Sequence, residues 1–170
     1  MTARVVFSLG SNVGDRVANL QGAVDSLADT PELKVLAVSP VYETDPVGGP
    51  DQDDYLNVVL LATTPLEPRA LLERVQAVEK VFGRVRQVRW GPRTLDVDIV
   101  AVGDVVIDEP DLQVPHSRAA QRAFVLVPWL DVDADAELPG EGKVASLVEG
   151  LDTAGVRLRD DLAIVVRDET

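Results

Sequence analysis

Cysteine is absent from this chain of 170 residues, and histidine occurs once. Without cysteine there is no disulfide framework, no thiol nucleophile and no thiolate metal site. Because His116 is the one histidine, a zinc centre built from several histidines is excluded as well. Since disulfide-bonded proteins belong to oxidising compartments, the composition makes the cytoplasm the expected location.

Long hydrophobic runs are missing too. The longest, residues 58–62 and 124–130, fall far short of the roughly 20 residues that cross a bilayer. The first ten residues hold no extended apolar segment of the kind that a secretory signal needs. We therefore expect neither a membrane span nor a secretory signal. With 46% hydrophobic and 26% charged residues, the composition is typical of one globular domain, here residues 1–170.

Basic residues are scarce: 16 lysines and arginines stand against 29 acidic residues, a formal net charge of −13. Nucleic-acid-binding proteins normally carry a basic surface, so we expect no nucleic-acid partner. We separately expect small-molecule substrates and a monomer. Four arginines nevertheless fall between positions 84 and 93, with no acid among them. Such a cluster can bind a phosphate, which the guanidinium fork suits, or form surface ion pairs. Charge alone leaves both open.

The hydrophobic pattern predicts the order strand, helix, strand, strand, helix, strand. Helical spacing of apolar residues runs from Val17 to Leu27, with Ser11 or Asn12 as the expected cap, and again over residues 67–82. This order fits a ferredoxin-like α+β sandwich, in which helices cover one face of a mainly antiparallel sheet. The strands are expected at residues 4–9, 33–43, 55–64 and 94–102.

The connecting and C-terminal regions are less regular. Proline and glycine predict a loop over residues 45–54. After Pro110 we expect a helical turn at residues 118–122 and weak strands at 156–158 and 163–166. Residues 131–170 carry eleven acids and four bases, a pattern typical of a solvated surface.

The strongest local signal is the pair Asp96 and Asp98 on the fourth predicted strand. Alternate strand residues share a face, so both carboxylates point the same way, with α-carbons roughly 6.6 Å apart. Two such carboxylates repel each other and need compensation. Magnesium supplies it, since proteins hold this ion with one or two carboxylates plus substrate phosphates. The alternative is an edge strand whose acids face solvent.

Weaker candidates lie elsewhere. A lone histidine is more often structural than catalytic, and beside Arg118 and Arg122 the protonated form of His116 is disfavoured. Tyr55 and Asn57 share a strand face, where an aromatic ring and an amide can recognise a heterocycle or simply pack in the sheet. The glycine-containing turn at residues 10–15 can present N–H groups to an anion, or merely connect strand to helix.

Six segments, in order along residues 4–130, carry a family resemblance. They are Leu9–Asp15, Tyr42–Pro46, Asp51–Asn57, Gly83–Arg86, Arg89–Asp98, and Val114–His116 together with Arg122–Phe124. This series resembles the 6-hydroxymethyl-7,8-dihydropterin pyrophosphokinases of folate biosynthesis, and the segment Arg89–Asp98 is its most specific part. Residues beyond about 139 match no motif of the family, and we assign them no function.

The resemblance implies an enzyme that transfers pyrophosphate from ATP to the hydroxymethyl group of the pterin and releases AMP. It implies two magnesium ions on Asp96 and Asp98, with Arg84 and Arg93 as the other catalytic residues. The pterin is expected to stack between Tyr55 and Phe124. Its further contacts are implied to be Thr44, Pro46, Val47 and Asn57. The remaining ATP-binding residues are implied to be Gln76, Glu79, Arg86, Trp90, Ile99, His116 and Arg122.

Two alternatives belong to other functional classes. A magnesium-dependent nucleotidyltransferase also combines a Gly-Ser turn with an Asp-x-Asp strand, but the two usually lie close in sequence. Here Ser11 and Asp96 are 85 positions apart. A non-catalytic ferredoxin-like binding module explains the fold but leaves the aspartate pair without a role.

Overall fold

The computed structural model describes residues 2–45, 54–82 and 95–166. These residues form short and long strands that alternate with helices. The strands are β1 (Ala3–Ser11), β2 (Lys34–Val38), β3 (Tyr42–Thr44), β4 (Tyr55–Thr64), β5 (Asp96–Val102), β6 (Ile107–Glu109), β7 (Leu112–Val114), β8 (Glu137–Leu138), β9 (Gly142–Lys143) and β10 (Val156–Leu158).

The main sheet has six antiparallel strands in the order β10–β3–β4–β1–β5, with β2 also paired to β4. Two small hairpins, β6–β7 and β8–β9, lie outside it. The ferredoxin-like α+β fold expected from the sequence is confirmed. The helices are α1 (Arg16–Ala28), α2 (Pro68–Val81), α3 (Ala123–Val132) and α4 (Val144–Glu149).

Helices α1 and α2 cover one face of the main sheet. Phe7 and Val58 point to this side and pack with Leu20 and Val24 of α1 in one buried cluster. The cap of α1 is Asp15, whose carboxylate accepts a hydrogen bond from the backbone N–H of Ala18 at 3.1 Å. The expectation of Ser11 or Asn12 as the cap is wrong, because β1 continues through Ser11.

Helices α3 and α4 cover the opposite face, so the expectation of helices on one face is also wrong. Val6 and Val59 point to this side and pack against Leu126 and Trp129 of α3 in a second buried cluster. The central strands have to be apolar on both faces when both are covered. This explains the nearly continuous apolar runs of β1 and β4.

The predicted second strand, residues 33–43, is two strands, β2 and β3, that pair in turn with β4. Between them the Ser39 hydroxyl accepts the backbone N–H of Val59 at 2.8 Å, and the Ser39 N–H donates to the Val59 carbonyl at 2.9 Å. Pro40 follows and has no N–H to continue the ladder. The strand is therefore interrupted where a side chain replaces a backbone acceptor.

The C-terminal segment returns to the sheet. The predicted strand at 156–158 is confirmed as β10, and the predicted helical turn at 118–122 as a 3₁₀ turn at Ala119–Gln121. Residues 163–166 are not a strand. Instead the backbone of Val165 exchanges two hydrogen bonds with the Gln21 side chain, at 2.8 and 2.9 Å, and Ile164 enters the core. Among the described residues, no helix has the length and apolar character needed to cross a membrane.

Candidate active site

A row of residues crosses four strands on the face that α3 covers. Tyr42 of β3 lies opposite Asn57 of β4, and Asn57 lies opposite Gly10 of β1. Gly10 in turn lies opposite Asp96 of β5. Since neighbouring strands are about 4.8 Å apart, Asn57 and Asp96 lie roughly 10 Å apart across the glycine. The row brings a residue predicted to bind pterin and a predicted metal ligand onto one surface.

Gly10 is inside β1, whereas the sequence suggested that it begins a turn. A β-carbon at this position would lie 2.7 Å from Oδ1 of Asn57 and 3.4 Å from the Tyr55 ring. The first distance is shorter than any normal contact with a β-carbon. The missing side chain therefore gives the Asn57 amide its place beside β1, within this buried part of the row.

The predicted pterin residues on β3 and β4 are held by a short polar contact. The Asn57 amide donates to the Thr44 hydroxyl at 2.6 Å, and both residues are buried. Thr44 lies opposite Tyr55 in the register, so these three side chains share the face of the row. The donor–acceptor pair fixes the amide with its oxygen toward Gly10. A buried, oriented amide beside an aromatic ring is suited to a flat heterocycle.

Helix α3 supplies the other side of this surface. The Tyr42 hydroxyl donates to the Asp131 carboxylate and thereby joins β3 to α3. Burial, reinforced by that carboxylate, raises the pKa of Tyr42 well above its usual value, so its proton stays in place. Phe124 is the second residue of α3, and the Arg122 guanidinium carbon lies 5.4 Å from the centre of its ring. Stacking of a pterin between Tyr55 and Phe124 stays a prediction.

Asp98 lies one row from Asp96 and opposite Ser8 of β1. Nη1 of Arg122 is 3.6 Å from one oxygen of Asp98, and Nε2 of His116 is 4.0 Å from the other. The Asp98 side chain remains 40% exposed. The structure thus brings together Asp98, His116 and Arg122, three predicted site residues from different segments of the chain.

His116 is held in a defined orientation. Its backbone N–H donates to the Val100 carbonyl of β5 at 2.8 Å, and its Nδ1 accepts the N–H of Arg118 at 3.2 Å. Burial lowers the pKa of His116, with Arg122 and Arg118 acting in the same direction and Asp98 opposing them. A neutral ring whose Nδ1 accepts a hydrogen bond carries its proton on Nε2, the atom that faces Asp98. It is therefore a hydrogen-bond donor at this point.

A cavity of about 330 Å³ adjoins this group between α2, β5 and the β6–β7 hairpin. Its volume falls in the range of small-molecule pockets. Val75 and Ile99 contribute apolar side chains to its lining, and Asp98 and His116 contribute polar ones. Gln76, another predicted ATP residue, is exposed on α2 next to Val75. Ion pairs from Arg69 of α2 to Glu109 and Asp111 hold the hairpin against the helix.

Glu79 lies beneath β5, away from the solvent. Its carboxylate accepts the backbone N–H of Val97 at 2.9 Å, and only 8% of the residue is exposed. Val97 lies between Asp96 and Asp98, and β5 is an edge strand of the main sheet. Glu79 thus bonds to the backbone that carries the aspartate pair, a role that its prediction as an ATP contact did not include.

The aspartate pair fits a divalent cation that is shared with a substrate. Asp96 and Asp98 alternate on the accessible face of β5, which offers carboxylate oxygens from two residues. In the described part of the chain, no group of three or more acidic or histidine side chains forms a complete metal cage. Magnesium held by two carboxylates takes its remaining oxygens from phosphates and water.

The sequence model of the family described as 7,8-dihydro-6-hydroxymethylpterin-pyrophosphokinase (HPPK) matches residues 6–134. The chain belongs to the HPPK family. The 2-amino-4-hydroxy-6-hydroxymethyldihydropteridine pyrophosphokinase of Mycobacterium tuberculosis is 44% identical, over 91% of this chain and 89% of its own. The protein of the same name from Pseudomonas aeruginosa is 42% identical, over 92% and 96%. The resemblance drawn from the six segments is confirmed, and it favours a pyrophosphokinase over the nucleotidyltransferase and the binding module.

Solved HPPK structures share the fold. The wild-type HPPK-DHPS of Plasmodium falciparum superposes with a TM-score of 0.70 over 88% of this chain, at 14% identity. The chain spans only 45% of the length of that structure. At such low identity the likeness concerns the fold, which it confirms as that of HPPK.

Several predicted HPPK site residues lie outside the described residues: Pro46, Val47, Arg84, Arg86, Trp90 and Arg93. Two side chains that shape the site were not singled out from the sequence, Tyr42 and Asp131. Their contact joins positions 89 apart, and no local pattern indicates it. Gly10 was noted only as part of a turn, although a glycine inside an apolar strand is itself a sign of close approach.

Proposed function

We propose that this chain transfers pyrophosphate from ATP to the hydroxymethyl group of 6-hydroxymethyl-7,8-dihydropterin, giving the pterin diphosphate and AMP in folate biosynthesis. The observation that carries the proposal is the row from Asn57 through Gly10 to Asp96. It brings a predicted pterin contact and a predicted metal ligand onto one face of the sheet, which supports a pterin at Asn57 next to phosphates at the aspartate pair. Membership of the HPPK family supplies the chemical identity of those substrates.

ATP occupies the cavity between α2, β5 and the β6–β7 hairpin in this proposal. Its base packs on Ile99, and its phosphates extend toward Asp98, where His116 donates from Nε2 and Arg122 adds positive charge. Both side chains lie within about 4 Å of the Asp98 carboxylate. Arg84, Arg86, Trp90 and Arg93 complete the nucleotide site as the family resemblance implies, with Arg84 and Arg93 neutralising the phosphates.

Asp96 and Asp98 hold the two magnesium ions that the resemblance implies. Magnesium held there would supply positive charge against the phosphates and would lower the pKa of the attacking hydroxyl. Strand β5 keeps the two carboxylates on one face. The hydrogen bond from the Val97 N–H to the Glu79 carboxylate holds that strand in place. The cationic side chains of the protein then stabilise the negative charge that develops on the phosphates during transfer.

The pterin presents its edge to Asn57, on the face of the sheet that carries Thr44 and Tyr55. Thr44 fixes the amide, Tyr55 and Phe124 supply the stacking faces, and Pro46 and Val47 contribute as the resemblance implies. The hydroxymethyl oxygen then points toward Asp96. Its attack on the β-phosphorus forms the new P–O bond and breaks the bond to the bridging oxygen, which leaves with AMP. The hydroxyl proton departs to solvent.

A direct test measures AMP after incubation with ATP, magnesium and the pterin. We expect pterin-dependent AMP from the wild type and a loss of about 100-fold or more in Asp98→Asn, since electrostatic groups at a transferring phosphate carry effects of this order. Chelation of magnesium should abolish turnover in both proteins. Release of pyrophosphate in place of AMP would indicate the nucleotidyltransferase.

Asp104→Asn is the matched control. Asp104 is exposed in the turn that follows β5, at the far end of the strand from the aspartate pair. The same chemical change there should leave AMP formation unaltered. Equal losses in both variants would contradict the assignment of Asp98.

The proposal also includes a monomer in the cytoplasm. The location is supported by the absence of cysteine and the monomer by the strongly acidic surface, which opposes self-association. Light scattering of the purified protein at micromolar concentration should give a mass near 18.3 kDa.

A further inference from the structure

The C-terminal segment, which matches no motif, reaches the edge of the proposed pterin site. Its strand β10 pairs with β3, and Arg157 lies opposite Glu43 in that pair. β3 carries Thr44, and its neighbour β4 carries Tyr55 and Asn57. A segment without a family motif thus forms the third strand beside the two that hold the predicted pterin contacts.

Two aspartates face each other where β3 and β4 end. Thr44 and Tyr55 form the last pair of the ladder, so Asp45 and Asp54 occupy the next opposed positions. Like charges directly opposite each other destabilise an antiparallel pair. The repulsion acts immediately beside Thr44 and Tyr55, and it would open the strand pair at that end if nothing compensated it.

Arg157 supplies the compensation with both arms of its guanidinium. Nη1 donates to Asp45 at 3.0 Å, and Nη2 donates to Asp54 at 2.9 Å. Arg16, at the start of α1, adds a bond of 2.9 Å to the main-chain carbonyl of Asp54. The planar fork of arginine holds two acceptors at a fixed separation, which a lysine ammonium does not do.

The bridge lies on the opposite side of the sheet from the substrate surface. Side chains alternate along a strand, so Asp45 and Asp54 point away from the face that carries Thr44 and Tyr55. Arg157 therefore has no contact with a pterin on that face. It acts through the backbone of two strands.

We propose that Arg157 is a positioning residue for the pterin, because it ties Asp45 to Asp54 and so fixes the separation of Thr44 and Tyr55. This inference rests on the proposed function, since it assigns those two residues to pterin binding. It gives the C-terminal strand a part in substrate affinity. ATP binds at the other edge of the sheet, around β5, and is independent of the bridge.

The test compares Arg157→Gln with Arg159→Gln in the full chain. Arg159 is two residues along, also contacts Glu43, and pairs with Asp161, but makes no bond to Asp45 or Asp54. Steady-state AMP formation gives KM for the pterin and for ATP. We expect R157Q to raise KM for the pterin about three- to ten-fold, the size of a few exposed ion pairs, and to leave KM for ATP unchanged. R159Q should change neither.

A double-mutant comparison separates this role from a general loss of folding. In the background D45N/D54N the repulsion is gone, so adding R157Q should no longer raise KM for the pterin.

A second measurement needs no variant. The pterin is uncharged, yet KM for it should rise with potassium chloride at saturating ATP, because salt screens the bridge.

The outcomes are distinct. An active wild type with equal pterin KM in R157Q and R159Q would overturn the inference and leave the proposed function standing. Equal rises in KM for both substrates, or a pterin KM in the wild type that does not respond to salt, would overturn it too. A wild type without pterin-dependent AMP would overturn the proposed function and this inference together.

Discussion

Gly10 and Asn57 show how a missing side chain can define a site. Gly10 lies on β1, one of the two inner strands of the row, and the amide of Asn57 fills the space that a β-carbon would take. Asn57 cannot easily retreat, since it is buried and bonded to Thr44. The position of the amide at this buried point of the row is therefore a consequence of two neighbouring residues, one small and one fixed.

Gly10→Ala should damage pterin binding more than it damages the fold. The new methyl group forces Asn57 to move, and overpacking of this kind costs about 1–3 kcal/mol of stability. We expect KM for the pterin to rise about ten-fold or more, while KM for ATP stays within about two-fold, as the displaced group is on the pterin side. Steady-state kinetics with each substrate varied in turn would measure this.

Gly150→Ala serves as the control for that substitution. Gly150 ends α4, and a β-carbon there would meet its nearest neighbour at an ordinary distance of 3.7 Å. Both KM values should match the wild type. A pterin KM unchanged in G10A would show that Asn57 does not depend on the space at Gly10.

The sequence predicted some of these residues and not others for a physical reason. Asp96 and Asp98 follow from the two-residue period of a strand, which any apolar strand with alternating acids displays. Asn57 and Tyr55 follow from the same period. Arg157 does not, because its partners Asp45 and Asp54 lie 112 and 103 positions earlier. Only the folded sheet brings them together.

One backbone N–H of the edge strand β5 finds its hydrogen-bond acceptor on helix α2. The Val97 N–H faces away from β1 and would be a buried, unpaired donor without the Glu79 carboxylate. Such a donor costs about 1–3 kcal/mol when its partner is removed. The acceptor is thus part of what holds the aspartate pair in position.

Glu79→Ala should therefore lower the free energy of unfolding by about 2 kcal/mol, which urea denaturation measures. It should also raise the magnesium concentration needed for half-maximal AMP formation, since Asp96 and Asp98 flank the released amide. Glu73→Ala, an exposed change on the same helix, is the control and should alter neither quantity. A magnesium requirement that stays the same in E79A would mean that the bond stabilises α2 and β5 without positioning the carboxylates.

At the scale of the elements, the sequence predicted those strands and helices whose apolar residues recur with a simple period. The strand at 55–64 has the predicted bounds, and α1 and α2 follow their helical spacing. Helix α3 was missed, because it is hydrophobic on nearly all sides and contains Pro128, so no amphipathic pattern marks it. The split of β2 from β3 was missed because the Ser39 hydroxyl takes the place of a backbone acceptor.

At the scale of the whole molecule, the C-terminal segment belongs to the core. Residues 151–166 run from α4 along the edge of β3 and then to α1, where Ile164 is 6% exposed in the cluster beneath the sheet. The neighbouring Val165 points outward and is 58% exposed. A stretch that the sequence marked as acidic and solvated thus closes one side of the fold.

Ile164→Ala and Val165→Ala make a matched pair for this statement. The first deletes a buried side chain and should cost about 2–5 kcal/mol of unfolding free energy, whereas the second should cost less than about 0.5 kcal/mol. Urea unfolding followed by tryptophan fluorescence measures both. Equal small losses would place the segment outside the cooperative unit.

The central position of β1 has a consequence for how the chain folds. This strand is made before its two partners β4 and β5, which begin at residues 55 and 96. One edge of this apolar strand therefore stays unpaired until residue 64 has been synthesised, and the other until residue 102. Pairings so distant in sequence slow folding, and apolar surface stays exposed until they form. The same arrangement that buries β1 in the folded protein leaves its edges open to aggregation while the chain is still incomplete.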